Sequence, residues 1–150
     1  KLKNILINKF YTKINDNNLD KMISCADNLE TEVKKKLIMR LKNRNFKIYD
    51  TYGTTETDGI SSYNIFDKNY PINSVGKINK NYDVKILNGN NVLKDNSIGD
   101  IYCKSPFICL IKQKSQTLKT HLKQYYYTGD QGYLIKNKLF FFGREKNKIS

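Results

Sequence analysis

The hydrophobic pattern of this chain changes near Gly59, and the change limits the folds that the chain can adopt. Upstream of that point, apolar residues recur every four positions, at Val33, Leu37 and Leu41. This spacing is typical of one face of an α-helix. Downstream, the helical periodicity stops, and short alternating segments separated by turn residues are typical of β-strands. The sequence therefore predicts an α/β portion to about residue 65 and a β-rich portion over about residues 72–142.

The sequence pattern predicts a strand, a helix and a second strand over residues 20–50, with the strands at residues 21–25 and 46–49. Basic residues are expected on the helix face opposite the apolar stripe, at Lys34, Lys35, Lys36 and Arg40. Glu30 and Glu32 lie in the first turns of the helix and basic residues in the last, which suits the helix dipole. If the two strands are parallel, the unit is a right-handed crossover.

The β-rich portion contains four predicted strands, over residues 82–87, 98–104, 132–135 and 139–142. The pair Asn88-Gly89 is a strong signal for a tight turn, and residues 136–138 form the turn of the last hairpin. Residues 116–123 are predicted to form a short helix.

The predicted fold class is α/β. Residues 1–65 would end the α/β subdomain, with the strand-helix-strand layer of a doubly wound sheet, and residues 66–150 would form a β-rich, distorted-barrel subdomain. The chain starts without Met and ends soon after a predicted strand, so both ends are expected to be cuts. No apolar run approaches the ~20 residues that a membrane span needs, and we expect no span.

The composition favours a folded domain and limits the classes of molecule that it is expected to bind. Seven Phe and eleven Tyr residues argue against disorder. The net charge is +13, but the basic residues are nearly all Lys and are spread along the chain. Arg, the better reader of bases and phosphates, occurs only at Arg40, Arg44 and Arg144. We therefore expect no specific nucleic-acid binding.

The cysteines and the single histidine restrict the metal chemistry. Cys25, Cys103 and Cys109 show no C-x-x-C spacing and fit buried thiols in a reducing, cytoplasmic protein. His121 is the only histidine, which excludes zinc sites built on several His within this chain.

A polar motif directly follows the second predicted strand: YGTTE, at residues 52–56. The strand delivers an aromatic ring, and the glycine lets the backbone turn and approach a ligand. Two hydroxyls and a carboxylate follow, so the motif offers a ring face for a base, donors for phosphate and an oxygen ligand for Mg²⁺. A polar turn with a capping Thr also fits these residues.

Three further segments place small or charged residues at turns. Asp130 lies between two glycines, where carboxylates commonly accept the two hydroxyls of a ribose. Arg144 follows Gly143 at a strand end, where a guanidinium can fork onto ribose or phosphate oxygens. The segment SCADNL, at residues 24–29, has small side chains that let a planar ligand approach the backbone. By themselves, a plain β-turn, an exposed basic turn and a helix cap also explain these three segments.

Taken together, the motifs resemble in order and spacing those of the AMP-forming adenylating superfamily: acyl-CoA synthetases, firefly-type luciferases and the adenylation domains of nonribosomal peptide synthetases. YGTTE resembles the core Y-G-x-T-E, and YYTGDQGY at residues 126–133 resembles Y-R-T-G-D-x-G. SCADNL resembles G-G-A-P-L or G-A-D-x-L, with Cys25 in place of a usual glycine. SVGK, IGDIY and GREK, which begin at residues 74, 98 and 143, resemble S-V-G-x, V-G-E-I-x and G-R-x-D/K.

The resemblance implies nucleotide-binding roles in the first half of the chain. Tyr52 would stack on adenine, and Gly53 would belong to the same nucleotide-binding loop. Ala26 and Asp27 would lie near the adenine edge. Tyr52 and Asp130 would then have to face one cleft, with their side chains roughly 5–12 Å apart.

The resemblance also implies roles for five residues around the phosphates, the ribose and the hinge. Thr55 would contact the α-phosphate and Glu56 would coordinate Mg²⁺, which makes these two the catalytic residues. Asp130 would hold the ribose hydroxyls with the help of Arg144. Lys146 would lie at the hinge about which a small C-terminal domain rotates.

The implied reaction uses ATP and Mg²⁺ to convert a carboxylic acid into an acyl-adenylate. The acyl group then passes to the thiol of coenzyme A or of a phosphopantetheine arm, in the second case on a carrier protein. Nothing in the chain resembles the Ser/Thr/Gly-rich phosphate loop or the C-terminal catalytic Lys of the family, so residues 1–150 alone are not expected to catalyse adenylation. An adenylation domain that selects an amino acid, and a non-catalytic basic binding module, remain as alternatives.

Overall fold

The computed structural model of the protein describes residues 21–25, 29–41, 47–108 and 125–144. Within these ranges the chain forms one helix and nine strands, and all nine strands belong to one mixed sheet. The predicted helix over residues 116–123 lies outside the described residues.

The strands are β1 (Lys21–Ser24), β2 (Lys47–Tyr52), β3 (Ser61–Asn64), β4 (Gly76–Ile78), β5 (Asp83–Asn88), β6 (Asn91–Val92), β7 (Gly99–Lys104), β8 (Tyr126–Ile135) and β9 (Lys138–Arg144). The helix α1 (Thr31–Leu41) lies between β1 and β2 along the chain. The strand order in the sheet is β1-β2-β3-β4-β9-β8-β7-β5-β6.

The predicted strand-helix-strand unit is confirmed. β1 pairs with β2 in parallel, with Ser24 opposite Asp50. Glu32 lies in the first turn of α1 and Arg40 in the last, as the helix dipole favours. The apolar face of α1 closes a small core whose buried members are Leu37, Leu41, Ile48, Tyr63 and Ile65.

The predicted solvent face of α1 is wrong at Lys34. This side chain is 1% exposed and shares the buried face with Leu37 and Leu41, whereas Val33 is only partly buried. Positions 34, 37 and 41 are three and four residues apart, which places them on one face of a helix. A lysine can occupy this face because a carboxylate lies against its ammonium group, as described below.

All four strands predicted for the β-rich portion are present, and the last two are longer than predicted. The tight turn at Asn88-Gly89 is confirmed, since Asn88 pairs with Asn91 across it. Three short strands, β3, β4 and β6, do not follow from the sequence pattern. β3 pairs with β4, so the sheet continues past residue 65, and the division into two subdomains stays a prediction.

The larger core lies against the β-rich part of the sheet. Its buried members are Tyr52, Ile60, Val75, Ile78, Ile86, Ile101, Cys103, Ile108, Tyr126 and Leu139. Cys103 is fully buried as predicted, and burial raises the pKa of its thiol to about 12. Cys25 is exposed, which corrects the prediction that it is buried; it follows β1 at the edge of the described sheet. The only helix in the described ranges is too short and too polar to cross a membrane.

Candidate nucleotide-binding cleft

The side chains of Tyr52 and Asp130 meet although their strands are not neighbours. β3, β4 and β9 lie between β2 and β8 in the sheet. In a flat sheet those four strand spacings would separate the two backbones by about 19 Å. The Tyr52 hydroxyl nevertheless donates a hydrogen bond to Asp130 Oδ2 at 2.9 Å. The sheet must therefore curve, so that the end of β2 faces the middle of β8.

Asp130 is held by three contacts and is 6% exposed. Besides the Tyr52 hydroxyl on Oδ2, the Arg144 Nε lies 3.1 Å from Oδ1. The Asp130 backbone N–H donates to Thr128 Oγ1 at 3.2 Å, and that hydroxyl donates to the Ile101 carbonyl. The cross-strand register of β8 and β9 places Asp130 opposite Arg144 and explains their contact. The carboxylate is thus fixed, while the Arg144 side chain is 71% exposed.

The expected separation of Tyr52 and Asp130 is wrong, because the two side chains touch directly. Burial, followed by the charge of Asp130, raises the pKa of the Tyr52 hydroxyl far above its ordinary value. The hydroxyl therefore remains a neutral donor. The Tyr52 ring lies 6.0 Å from the Phe141 ring at an interplanar angle of 42°, so the two rings form an aromatic corner.

The loop that follows β2 turns back on itself within five residues. The Thr57 and Asp58 amides both donate to the Thr54 carbonyl, and the Thr54 amide donates to Thr57 Oγ1 at 2.9 Å. A Cβ added at Gly53 would overlap the Asp58 carbonyl oxygen. Glycine is therefore required there by the close approach of the two backbone segments.

This turn presents Thr55 and Glu56 at the protein surface. Thr55 is exposed and Glu56 is partly exposed. Tyr126 has a raised pKa, first because of desolvation and then because the Glu56 carboxylate lies beside its hydroxyl. The Glu56 side chain therefore lies close to the start of β8.

A cleft of about 510 Å³ joins these groups. The predicted site residues that line it are Tyr52, Gly53, Thr55, Glu56, Asp130 and Arg144. The prediction that Tyr52 and Asp130 face one cleft is therefore confirmed, whereas the roles of these six residues stay predictions. Ala26, Asp27 and Lys146 lie outside the described residues, and their roles stay predictions.

The cleft also has lining residues that the motif analysis missed. Asp50 and Val75 belong to its walls, and Phe141 supplies the second ring of the aromatic corner. A sequence signal existed for Asp50: it precedes Tyr52 by two residues, and alternate residues of a strand face the same side. Val75 and Phe141 come from β-rich segments whose pairing the sequence does not specify.

The arrangement suits a ligand with an aromatic part, hydroxyls and phosphates. A carboxylate has about four lone-pair sites, and the side chains described use two of those on Asp130. Within the described ranges no cluster of three or more His, Cys, Asp or Glu could hold a metal ion. Glu56 alone nevertheless fits Mg²⁺, which is commonly bound by one or two carboxylates together with water and substrate phosphates.

Comparison with known proteins identifies the family. The sequence profile of the AMP-binding enzyme family matches residues 3–111. The chain is 35% identical over 103 residues to the mitochondrial acyl-coenzyme A synthetase ACSM3 of Homo sapiens, a match that covers 63% of this chain and 17% of the relative. The same protein of Mus musculus is 29% identical over 141 residues, covering 89% of this chain and 24% of the relative.

Solved structures share the fold. O-succinylbenzoate coenzyme A synthetase (MenE) from Bacillus subtilis, in complex with AMP, has a TM-score of 0.70 at 18% identity and covers 90% of this chain. McyG A-PCP, complexed with phenylalanyl-adenylate, has a TM-score of 0.68 at 22% identity and covers 83% of this chain. The match takes in 29% of the first chain and 21% of the second.

The chain thus spans less than a third of each of these proteins. The structural likeness confirms the predicted α/β fold class. Since the family profile matches well over half of its residues, the chain belongs to the AMP-binding enzyme family.

Proposed function

We propose that the protein carrying this chain activates a carboxylic acid with ATP, forming an acyl-adenylate and pyrophosphate. The observation that carries the proposal is the convergence of Tyr52, Glu56 and Asp130 on one cleft. Each residue alone fits an ordinary turn or strand. A nucleotide, however, fits a cleft lined together by a buried carboxylate, two aromatic rings and a loop with an acidic residue.

The nucleoside would occupy the inner end of the cleft. The Tyr52 and Phe141 rings provide an apolar wall for the base. The ribose hydroxyls would donate to the remaining lone pairs of Asp130, whose position is fixed by the Tyr52 hydroxyl. Because the Arg144 side chain is largely exposed, it can turn from Asp130 toward the ribose without breaking a buried contact.

The phosphates would lie along the 54–58 turn. The exposed Thr55 hydroxyl and backbone amides of the turn are donors for the α-phosphate. Glu56 would hold Mg²⁺, which supplies positive charge next to the phosphates when it is bound. The structure of B. subtilis MenE in complex with ATP and magnesium ion, with a TM-score of 0.69, supports this use of ATP and Mg²⁺.

In the proposed reaction a substrate carboxylate oxygen attacks the α-phosphorus of ATP. A new oxygen–phosphorus bond forms, the bond from the α-phosphorus to the bridging oxygen breaks, and pyrophosphate leaves with the electron pair. A thiol then attacks the acyl carbon, and AMP leaves. What the described residues contribute is position and charge: they hold the nucleoside, orient the α-phosphate and anchor the cation.

Coenzyme A or a phosphopantetheine arm is the proposed acceptor of the acyl group. Relatives named as coenzyme A synthetases and a neighbour named A-PCP support a thiol of this kind. A location in the cytoplasm, as expected from the cysteines, stays a prediction.

The test is carboxylate-dependent exchange of labelled pyrophosphate into ATP by the complete protein that carries this chain. A panel of aliphatic, aromatic and amino acids, with Mg²⁺ present, should include at least one acid that supports exchange. Glu56→Gln should reduce this exchange by roughly 100-fold or more, as expected when a group that organises transition-state charge is removed. Binding to polyanions that weakens with salt, together with no exchange for any acid, would instead support a basic binding module.

A further inference from the structure

A lysine in the core of the α1–β2 unit is unusual enough to require an explanation. Lys34 is 1% exposed, and lysine is almost never fully buried unless it is paired. It occupies the position on α1 that a leucine would fill if the face were apolar, one turn before Leu37. Its burial therefore reflects specific partners and not the helix pattern.

Three oxygen atoms lie around the Lys34 ammonium: one carboxylate oxygen at ion-pair distance and two carbonyl oxygens that accept hydrogen bonds. Nζ lies 2.6 Å from Asp50 Oδ2. Nζ also donates to the Ile72 carbonyl at 3.1 Å and to the Ser74 carbonyl at 3.4 Å. The Tyr63 ring centroid is 5.3 Å from Nζ, so the aromatic face adds a cation–π contact.

The first of these partners belongs to one wall of the cleft. Asp50 is 2% exposed, lines the cleft, and lies on the same face of β2 as Tyr52. Among the described residues no donor with hydrogen-bond geometry reaches its Oδ2, so the charge of Lys34 is what compensates it. The end of β2, and with it Tyr52, is therefore anchored through Lys34.

The other two partners belong to the segment that precedes Val75. The carbonyls of Ile72 and Ser74 flank the segment that leads directly to Val75, a second lining residue. The Ser74 hydroxyl donates to the Leu139 carbonyl on β9, which ties the same segment to the strand that carries Phe141. One buried cation thus contacts both β2 and the 72–74 segment, and β2 and the residue that follows this segment, Val75, each contribute to the lining of the cleft.

Stability alone does not account for this arrangement. A buried ion pair is often replaced by well-packed apolar residues at no cost in stability. What an apolar residue cannot supply is a directed link from one helix to a carboxylate and two carbonyls on separate segments.

We propose that Lys34 is a positioning residue for the nucleotide cleft: its ammonium sets the distance between the Asp50–Tyr52 segment and the Ile72–Val75 segment. The inference rests on the proposed function, because the ligand whose binding it serves is the nucleotide.

The test measures AMP affinity by titration calorimetry in the complete protein, beside the urea midpoint of unfolding. Lys34→Met should weaken AMP binding by roughly 3- to 30-fold, the range for substitutions that act on a site without contacting its ligand. Lys36→Met is the matched control, because it removes the same charge from the exposed face of the same helix. It should leave both AMP affinity and the midpoint unchanged.

The double variant Lys34→Met with Asp50→Asn separates positioning from simple charge compensation. It leaves no unpaired buried charge, so its unfolding midpoint should recover most of what Lys34→Met loses. Its AMP affinity should stay weakened, because the carbonyls of Ile72 and Ser74 still lack their donor. This variant also keeps the proposal testable if Lys34→Met alone does not fold.

Two results would overturn the inference. Wild-type AMP affinity in folded Lys34→Met would do so, and so would recovery of both affinity and midpoint in the double variant. If the wild-type protein and the Lys36→Met control both fail to bind AMP, the proposed function fails, and the inference fails with it. That outcome is distinct, because it affects all variants and not those at Lys34 alone.

Discussion

Two ion pairs lie at the walls of the same cleft and differ in how they meet water. In the Lys34–Asp50 pair both side chains are buried, at 2% and 3% exposure. In the Arg144–Asp130 pair the carboxylate is buried but the cation is 71% exposed. The cation of the first pair is shielded from solvent, whereas the cation of the second is in contact with it. We therefore expect the Lys34–Asp50 pair to stabilise the structure around the cleft and the Arg144–Asp130 pair to rearrange when a ligand binds.

The local sequence explains why the two pairs differ. Lys34 is the fourth residue of a helix and lies on its buried face, so its side chain is enclosed. Arg144 is the last residue of β9, at the end of the strand and beside the open cleft. Two ion pairs of the same kind therefore differ in solvent exposure because the backbone places their cations in different positions.

The largest effect should come from breaking the buried pair. Lys34→Met leaves Asp50 as an unpaired buried carboxylate, and we expect a loss of about 3–5 kcal/mol in the free energy of unfolding. Urea denaturation at neutral pH measures it, and Lys36→Met should stay within about 0.5 kcal/mol of the wild type. A loss as small as that of the control would mean that the two pairs do not differ as their burial suggests.

The same substitution should make stability depend on pH. Desolvation raises the pKa of Asp50 above its ordinary value of 3.8, and Lys34 opposes this shift. Without Lys34 the pKa should rise further. A carboxyl group with a raised pKa in the folded state contributes stability below its unfolded pKa and loses it as the pH rises through the folded pKa.

The deficit of Lys34→Met relative to the wild type should therefore be smallest below pH 3.8 and should grow as the pH increases above it. Urea midpoints of both proteins across this range measure the difference. In the double variant with Asp50→Asn the deficit should no longer grow as the pH increases. A deficit that is constant with pH in the single variant would show that Asp50 does not titrate there.

The next effect concerns the ligand side of the comparison. Asp130→Ala removes the buried acceptor that the ribose hydroxyls would use, and we expect ATP binding by the complete protein to weaken by about 1–3 kcal/mol. Asp100→Ala is a suitable control, because this carboxylate accepts from Gln131 on the neighbouring strand and does not line the cleft. Unchanged ATP affinity in Asp130→Ala would contradict the ribose role.

The family resemblance implies that Tyr52 and Asp130 face one cleft. The residue pattern itself predicts the strand-helix-strand unit and the main β-rich strands. These features follow from local signals: helical spacing, alternation, and turn residues such as Asn88-Gly89. It does not predict that Lys34 is buried, because the acceptors come from Asp50 and from residues 72–74. Helical spacing indicates which residues share a face of the helix, but it does not indicate which distant groups will contact that face.

The direct contact of Tyr52 with Asp130 escapes prediction for a related reason. It depends on how far the sheet curves over the strands between β2 and β8, and two of those strands are short and polar enough to show no alternating pattern. β4 begins at Gly76, whose φ of +105° lies in a region that other residues rarely adopt. The motif identifies such a glycine, but the bend that it permits is a property of the whole sheet.

The smallest effect should come from removing the exposed cation. Arg144→Met breaks the ion pair with Asp130, but the guanidinium is largely solvated and Asp130 keeps its hydrogen bond from the Tyr52 hydroxyl. Surface ion pairs contribute about 0–1 kcal/mol, so the free energy of unfolding should change by no more than that.

The urea midpoint of Arg144→Met beside that of Lys34→Met makes the comparison directly, since each variant replaces one cation of a pair by the same apolar side chain. If Arg144→Met destabilised the protein as much as Lys34→Met, exposure would not be what distinguishes the two pairs. Arg144→Met should nevertheless weaken AMP binding while the fold stays intact, because the exposed arginine side chain can turn to the ligand.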